Sequence, residues 1–241
     1  MSFQKKLLII INLVPIFLSV KSIKSTENKI IVTQIDGYIA NLKFPKYKID
    51  VPARIGKNGV TKNHSEGSMA TPLGTFKFGL AFGFNQFPVH KSLKYIVINK
   101  DLYWVSDIKS KYYNQLVNIK KVPSGSFDPK KSEHLIDYKT CYEFGIEIAF
   151  NTKNDPKLGS AIFLHVMSEN KGYTAGCVAV ERNVMMKLLS LIDKDTVIEI
   201  RGKNIWVFLF IFYNFFIRKT TFFKLFFLLN VFLNKSIFLF I

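Results

Sequence analysis

Short runs of β-branched and aromatic residues recur along this chain, and they constrain its fold more than any other feature. Turn-forming residues separate these runs, which cover residues 30–32, 95–98, 102–105, 144–150, 161–166 and 196–200. Runs of this length and composition predict β-strands. A late stretch, 181–192, instead carries its apolar residues at helical spacing. We therefore predict a mainly β domain, closed or sandwich-like, with a few helices.

Two local features refine this prediction. The sequence Asn-Lys-Asp at 99–101 separates two of the expected strands and predicts a hairpin turn between them. A weaker helical pattern covers residues 110–117. We expect the alternating run 196–200 to close the domain.

Cys177 lies in a turn of small residues, directly after Ala175 and Gly176, and His165 ends an apolar run twelve residues upstream. Glycine lets the backbone come close to a substrate. An imidazole that faces a thiol across a short loop can activate it as a nucleophile. The same residues also fit a buried cysteine beside an ordinary core histidine, and their spacing alone leaves both interpretations open.

The segment from His165 to Cys177 resembles the signature of the L,D-transpeptidase catalytic domain (YkuD) family, a histidine followed after a loop by Ser/Thr-x-Gly-Cys. The chain departs from it at Ala175, where many members have histidine, and at Ala179, where many have arginine or asparagine. Its loop between histidine and cysteine is also shorter than in many members. The resemblance covers 29–201, and further motifs carry it at 70–76 (similar to TP-x-GTF), 103–105 and 132–135.

This resemblance implies a YkuD-like fold with one helix after the catalytic cysteine, and a role in building the bacterial cell wall. Cys177 would form a thioester with a peptidoglycan stem tetrapeptide, and an amine acceptor would then take the acyl group. Water as the acceptor would give an L,D-carboxypeptidase instead. A non-catalytic wall-binding module and the inactive product of a damaged gene would also fit the sequence.

The resemblance also suggests roles for the residues around the cysteine. His165 would act as the base, and the backbone N–H groups around Gly176 would stabilise the oxyanion. Thr174 would hydrogen-bond His165 or the substrate, or else simply form the turn, and Ala175 belongs to the same substrate-facing loop. His134 would lie near the cleft and bind substrate, or else be a solvated surface histidine.

Metal and cofactor binding find no support in the sequence. His64 and His90 lie in polar loops, where we expect them to be exposed to solvent. The chain has no CxxC, HxxxH or HExxH spacing and no glycine-rich phosphate loop, so we expect neither a metal nor a cofactor. We expect Cys141 and Cys177 to be reduced thiols, because a disulfide between them would disable the nucleophile.

Charge is distributed unevenly along the chain. The net charge is +17, and all 17 acidic residues lie within 22–202, where 26 basic residues give 26 − 17 = +9. A basic surface fits anionic lipid, nucleic acid or an anionic polymer. The basic residues are scattered and no nucleic-acid motif is present, so we expect no nucleic-acid partner. Attraction to anionic wall polymer and a generally cationic surface are the two interpretations left.

The two ends of the chain differ from its centre. Residues 1–22 combine Lys5 and Lys6 with an apolar stretch over 7–20, which predicts a signal peptide or an uncleaved N-terminal anchor and hence an extracytoplasmic protein. Residues 203–241 hold no acid and twelve of the 24 phenylalanines. This tail is interpreted as a membrane segment that would associate the protein with the membrane, or as an apolar, non-native extension.

Overall fold

The computed structural model describes residues 28–168 and 172–203. The predicted signal segment 1–22, and the tail 203–241 apart from Lys203, lie outside the described residues. Within the described part the chain forms one α-helix, α1 (Arg182–Leu191), and four short 3₁₀ turns at Pro45–Tyr47, Ile119–Lys121, Pro129–Lys131 and Leu135–Asp137. It also forms fourteen strands: β1 (Lys29–Asp36), β2 (Ile39–Phe44), β3 (Ile49–Arg54), β4 (Val60–Thr61), β5 (Thr71–Pro72), β6 (Gly74–Gly83), β7 (Tyr95–Val97), β8 (Leu102–Trp104), β9 (Leu116–Asn118), β10 (Glu133–His134), β11 (Phe144–Ile148), β12 (Phe163–Val166), β13 (Val178–Val180) and β14 (Val197–Arg201).

The main sheet closes on itself. Its strands follow the order β11-β12-β13-β3-β2-β1-β14-β6-β7, and β11 also pairs with β6. The long strand β6 makes this possible, because residues 74–77 pair with β14 while 78–83 pair with β11. The predicted closed β domain is therefore confirmed, and β14 completes the ring by pairing in parallel with β1.

Every second side chain of the strands points into this ring and helps to fill its interior. Ile30 and Val32 of β1 are fully buried while their neighbours are partly exposed, as expected for a strand with one face on a core.

The predicted helix is confirmed as α1, whose buried residues Met185, Leu188 and Leu189 join the same core cluster. No helix among the described residues is long and apolar enough to cross a membrane.

A second cluster, with four aromatic side chains among its nine buried residues, lies on the other face of β12. Phe163 makes edge-on contacts with the rings of Phe82, Trp104 and Tyr142. Cys177 belongs to this cluster, whereas the flanking Val178 belongs to the core of the ring. A small sheet in the order β10-β8-β9 supplies Trp104 and so covers this face.

Two local predictions are wrong. The strands around 99–101 do not form a hairpin, because β7 pairs in parallel with β6 while β8 pairs with β9 and β10. Residues 110–117 form turns and the start of β9 instead of a helix. Asn114 has a left-handed backbone (φ 55°), and its side chain accepts a hydrogen bond from Trp104 Nε1 at 3.0 Å. Tertiary contacts therefore override a weak helical preference there.

Candidate active site

Cys177 and His165 line one cavity of about 350 Å³. Thr174, Ala175 and Gly176 line the same cavity, so the structure brings five of the six predicted site residues together. His134 is not among the lining residues. The two predicted chemical groups therefore share one cleft, although they come from different elements.

Strand pairing explains how His165 and Cys177 reach the same face. In the parallel pair of β12 and β13, Leu164 lies opposite Val178 and His165 lies opposite Ala179. Side chains alternate along a strand, so His165 points to the face that Phe163 and Cys177 occupy, away from the ring core. Cys177 is thus a diagonal neighbour of His165 across the pair.

The Cys177 thiol is held by backbone groups in this structure. Its Sγ accepts a hydrogen bond from Phe163 N at 3.3 Å and donates one to Ala161 O at 3.3 Å. Burial raises the pKa of the Cys177 thiol, and the nearby Glu133 carboxylate adds to this effect. The raised pKa favours the neutral thiol over the activated thiolate that the His–Cys pairing suggests.

His165 is also buried, and burial favours its uncharged form. Its Nδ1 lies 2.8 Å from Val166 O. A carbonyl oxygen can only accept, so Nδ1 carries the hydrogen and Nε2 carries the free lone pair. Burial lowers the pKa of His165 to about 4, although the bond to Val166 O partly opposes this change. The Nε2 lone pair is therefore available, although the lowered pKa makes the imidazole a weaker base than a solvated histidine.

The turn before Cys177 is fixed by two threonines. Thr174 Oγ1 donates to Cys177 O at 2.7 Å and accepts from Gly176 N at 3.2 Å. Thr71 Oγ1, from the TP-x-GTF segment, lies 3.4 Å from the same carbonyl. Thr174 therefore stabilises the turn itself. Its Oγ1 already accepts the hydrogen bond of the Gly176 N–H, which was expected to stabilise an oxyanion. The Cys177 N–H has no acceptor among the described residues.

Gly176 is needed where two segments approach closely. A Cβ at this position would lie 3.0 Å from Ala70 O and 3.1 Å from Ile162 Cδ1. These distances are shorter than ordinary contacts, so a larger residue would push the TP-x-GTF segment away from the cysteine turn. The two motifs of the sequence thereby meet at one point of the cleft.

His134 lies beside the cleft residues without facing the cavity. Its ring stacks on Tyr103 and its nitrogens bond Asp137 Oδ2 at 3.1 Å and Lys100 O at 2.8 Å. The preceding residue, Glu133, lines the cavity instead, because successive side chains of β10 point to opposite faces.

Two carboxylates, Glu66 and Glu133, line the cavity. Glu133 belongs to the 132–135 motif of the family resemblance, whereas nothing in the sequence interpretation pointed to Glu66. Glu133 accepts from Tyr142 Oη at 2.5 Å, and Glu66 accepts from Tyr113 Oη at 2.6 Å. Burial raises the pKa of Glu133 to about 7. Tyr142 lies nine residues from Glu133 and Tyr113 lies 47 residues from Glu66, in turns whose sequences carry no signal for either pair.

The expected exposure of His64 is wrong. His64 is 7% exposed, lines the cavity and bonds Leu158 O through Nδ1 at 2.8 Å. The left-handed Gly159 (φ +88°) makes room for it, since a Cβ there would lie 2.5 Å from His64 Nδ1. The Nε2 atom of His64 lies near Gly176 and has no hydrogen-bond partner among the described residues. Burial by a distant loop is not visible in the local sequence.

Two thiols line the cavity, Cys141 and Cys177. Cys141 and Cys177 are both thiols and do not form a disulfide. Among residues 28–168 and 172–203, no three histidine, cysteine or acidic side chains are grouped as they would be around a metal ion.

The model of the YkuD family, described as the L,D-transpeptidase catalytic domain, matches residues 29–200. The chain belongs to this family. No curated protein matches the chain. Among solved structures, this L,D-transpeptidase-family chain is similar to L,D-transpeptidase 1 of Mycobacterium tuberculosis, with 12% identity and a TM-score of 0.31. The match covers 72% of this chain and 62% of that one, so the chain spans less than two thirds of its length.

Proposed function

We propose that this chain is an L,D-transpeptidase that acts outside the cytoplasm on peptidoglycan stem peptides. The observation that carries the proposal is the placement of Cys177 and His165 on one sheet face in one cavity, within a chain of this family. Cysteine supplies a strong nucleophile, and the free lone pair of His165 Nε2 supplies a base.

The first half of the reaction transfers an acyl group to the enzyme. When substrate enters, the proton on Cys177 Sγ passes to His165 Nε2, and the thiolate attacks the carbonyl carbon of the bond before the terminal D-amino acid. The oxyanion accepts a hydrogen bond from the Cys177 N–H, a contact worth about 3 kcal/mol of barrier. As the C–N bond breaks, His165 returns the proton to the leaving amine, and a thioester forms.

The second half releases the acyl group. A side-chain amine of a neighbouring stem peptide attacks the thioester, and His165 takes the proton that the amine loses. The new amide forms as the C–S bond breaks, and the proton returns to Cys177. Water in place of the amine gives hydrolysis, so the acceptor decides between a transpeptidase and a carboxypeptidase.

Mass spectrometry of the protein and its products tests this proposal. The protein is incubated with a disaccharide-tetrapeptide, and we expect a covalent adduct on Cys177 together with a cross-linked dimer. The variant Cys177→Ala should form neither, while Cys141→Ala should form both, since Cys141 has no role in the steps above. Hydrolysed tripeptide without dimer would indicate a carboxypeptidase. Turnover by Cys177→Ala would exclude Cys177 as the nucleophile.

A further inference from the structure

Arg54 lines the same cavity as Cys177 and comes from a neighbouring strand. It ends β3, where it lies directly opposite Ala179 in the antiparallel pair with β13. Ala179 in turn lies opposite His165 in the pair with β12. Residues opposite one another in a sheet point to the same face, so these three side chains form one row across three strands.

The middle of this row is left open. Ala179 is small, so the side chains of His165 and Arg54 border a gap whose floor is the Ala179 methyl group. Adjacent strands lie about 4.8 Å apart, which separates the backbones of His165 and Arg54 by roughly 10 Å. Arg54, His165, Cys177 and Ala179 all line the same cavity.

The Arg54 guanidinium has no anionic partner in the described part of the chain. Its one hydrogen bond goes to the carbonyl of the adjacent Ala53, at a long 3.4 Å. By contrast, Arg182 and Arg201 each form an ion pair with a glutamate. The cavity carboxylates do not neutralise Arg54, since neither Glu66 nor Glu133 lies within ion-pair distance of it.

We propose that Arg54 binds the terminal carboxylate of the stem peptide and so selects peptides that end one residue after the scissile bond. This inference rests on the proposed function. The D-amino acid that leaves in the first step carries a free carboxylate, and a guanidinium binds a carboxylate through two parallel hydrogen bonds. A cation on the opposite side of Ala179 from His165 would hold this carboxylate while Cys177 attacks the adjacent carbonyl.

Binding measurements on the full-length protein in mild detergent test the proposal. The Cys177→Ala background prevents chemistry, and calorimetry compares a disaccharide-tetrapeptide with the same compound carrying a C-terminal carboxamide. We expect Arg54→Gln to weaken binding of the carboxylate peptide by about 10- to 100-fold, as for loss of a hydrogen bond to a charged group. Affinity for the carboxamide should change less than about twofold. Arg54→Lys should recover part of the loss, because it keeps the charge but not the paired geometry.

Matched controls separate this role from others. Arg182→Gln removes an exposed arginine outside the cavity and should leave both affinities unchanged. Equal losses for both peptides, no loss for either, or no detectable binding by the Arg54 protein would overturn the proposal. Arg54→Gln should also weaken binding of a peptide that is amidated only at an internal side-chain carboxyl. If the substitution leaves the affinity for this peptide alone unchanged, the assignment of Arg54 to the terminal carboxylate is wrong. Failure of the proposed function has a different outcome, namely peptide binding without acylation of an intact Cys177.

Discussion

Replacing Glu133 by glutamine should stabilise the protein above neutral pH. Burial raises the pKa of this carboxyl to about 7 from an ordinary 4.5. Between these two values the folded protein keeps a proton that the unfolded chain has released, so stability falls as pH rises through this window. Glutamine removes the titration, and its side-chain oxygen can still accept the hydrogen bond from Tyr142.

The size of the effect follows from the two pKa values. At 1.36 kcal/mol per pKa unit, ionisation of Glu133 costs at most about 3 kcal/mol of unfolding free energy. This is an upper limit because the residue keeps some contact with solvent through the cavity. Urea unfolding of wild type and Glu133→Gln at pH 5, 6, 7 and 8 should show a difference that grows with pH and levels off above 7.

Titration of His165 changes the unfolding free energy in the opposite direction with pH. Its pKa is lowered to about 4, so its contribution is present above its ordinary value of 6.5 and is lost as pH falls toward 4. That contribution is shared by both proteins and cancels in their difference. The variant Glu181→Gln, at an exposed glutamate, serves as the control for removal of one acidic side chain. Parallel curves for wild type and Glu133→Gln would refute the assignment of a buried, protonated Glu133.

Four further outcomes are expected. His165→Gln should slow acylation by about 10²- to 10⁴-fold, the range for loss of a positioned base, and an unchanged single-turnover rate would contradict its role. Alkylation of Cys177 by iodoacetamide should keep rising with pH beyond the ordinary thiol value of about 8.5, whereas a plateau near pH 6 would indicate a resting thiolate. Gly159→Ala should displace His64 and destabilise the protein by about 1–2 kcal/mol in urea, given the left-handed backbone; wild-type stability would argue against that contact. Truncation after Gly202 should leave a folded domain with unchanged acylation, and an unfolded product by circular dichroism would place the domain end further along the chain.

Local pattern was sufficient for much of the fold. The alternation in β1 and the apolar face of α1 are each set by burial on one side, so the sequence displays them directly. The prediction of a hairpin at 99–101 was wrong because strand pairing depends on contacts between segments that are distant in the sequence. The runs on either side of that turn have strand character, yet they join different sheets.

The candidate site likewise contains residues that local sequence could indicate and residues that only the structure reveals. Cys177 and His165 could be predicted because the motif lies within one stretch of chain. Arg54 and His64 could not, because each reaches the cavity through pairing or packing with residues about a hundred positions away. The protonation state was also hidden, since the thiol pKa depends on burial by aromatic residues from several strands.

The parallel pairing of β1 with β14 has a consequence for how the domain folds. Lys29 lies opposite Val197, so the ring closes only after two segments 168 positions apart have met. Contacts of such high sequence separation slow folding, because the entropy of the intervening chain must be lost first. Any nascent or cleaved chain that lacks the last strand would expose the edges of β1 and β6. Such an intermediate would offer open edges to other chains, so aggregation would compete with folding until synthesis has passed residue 201.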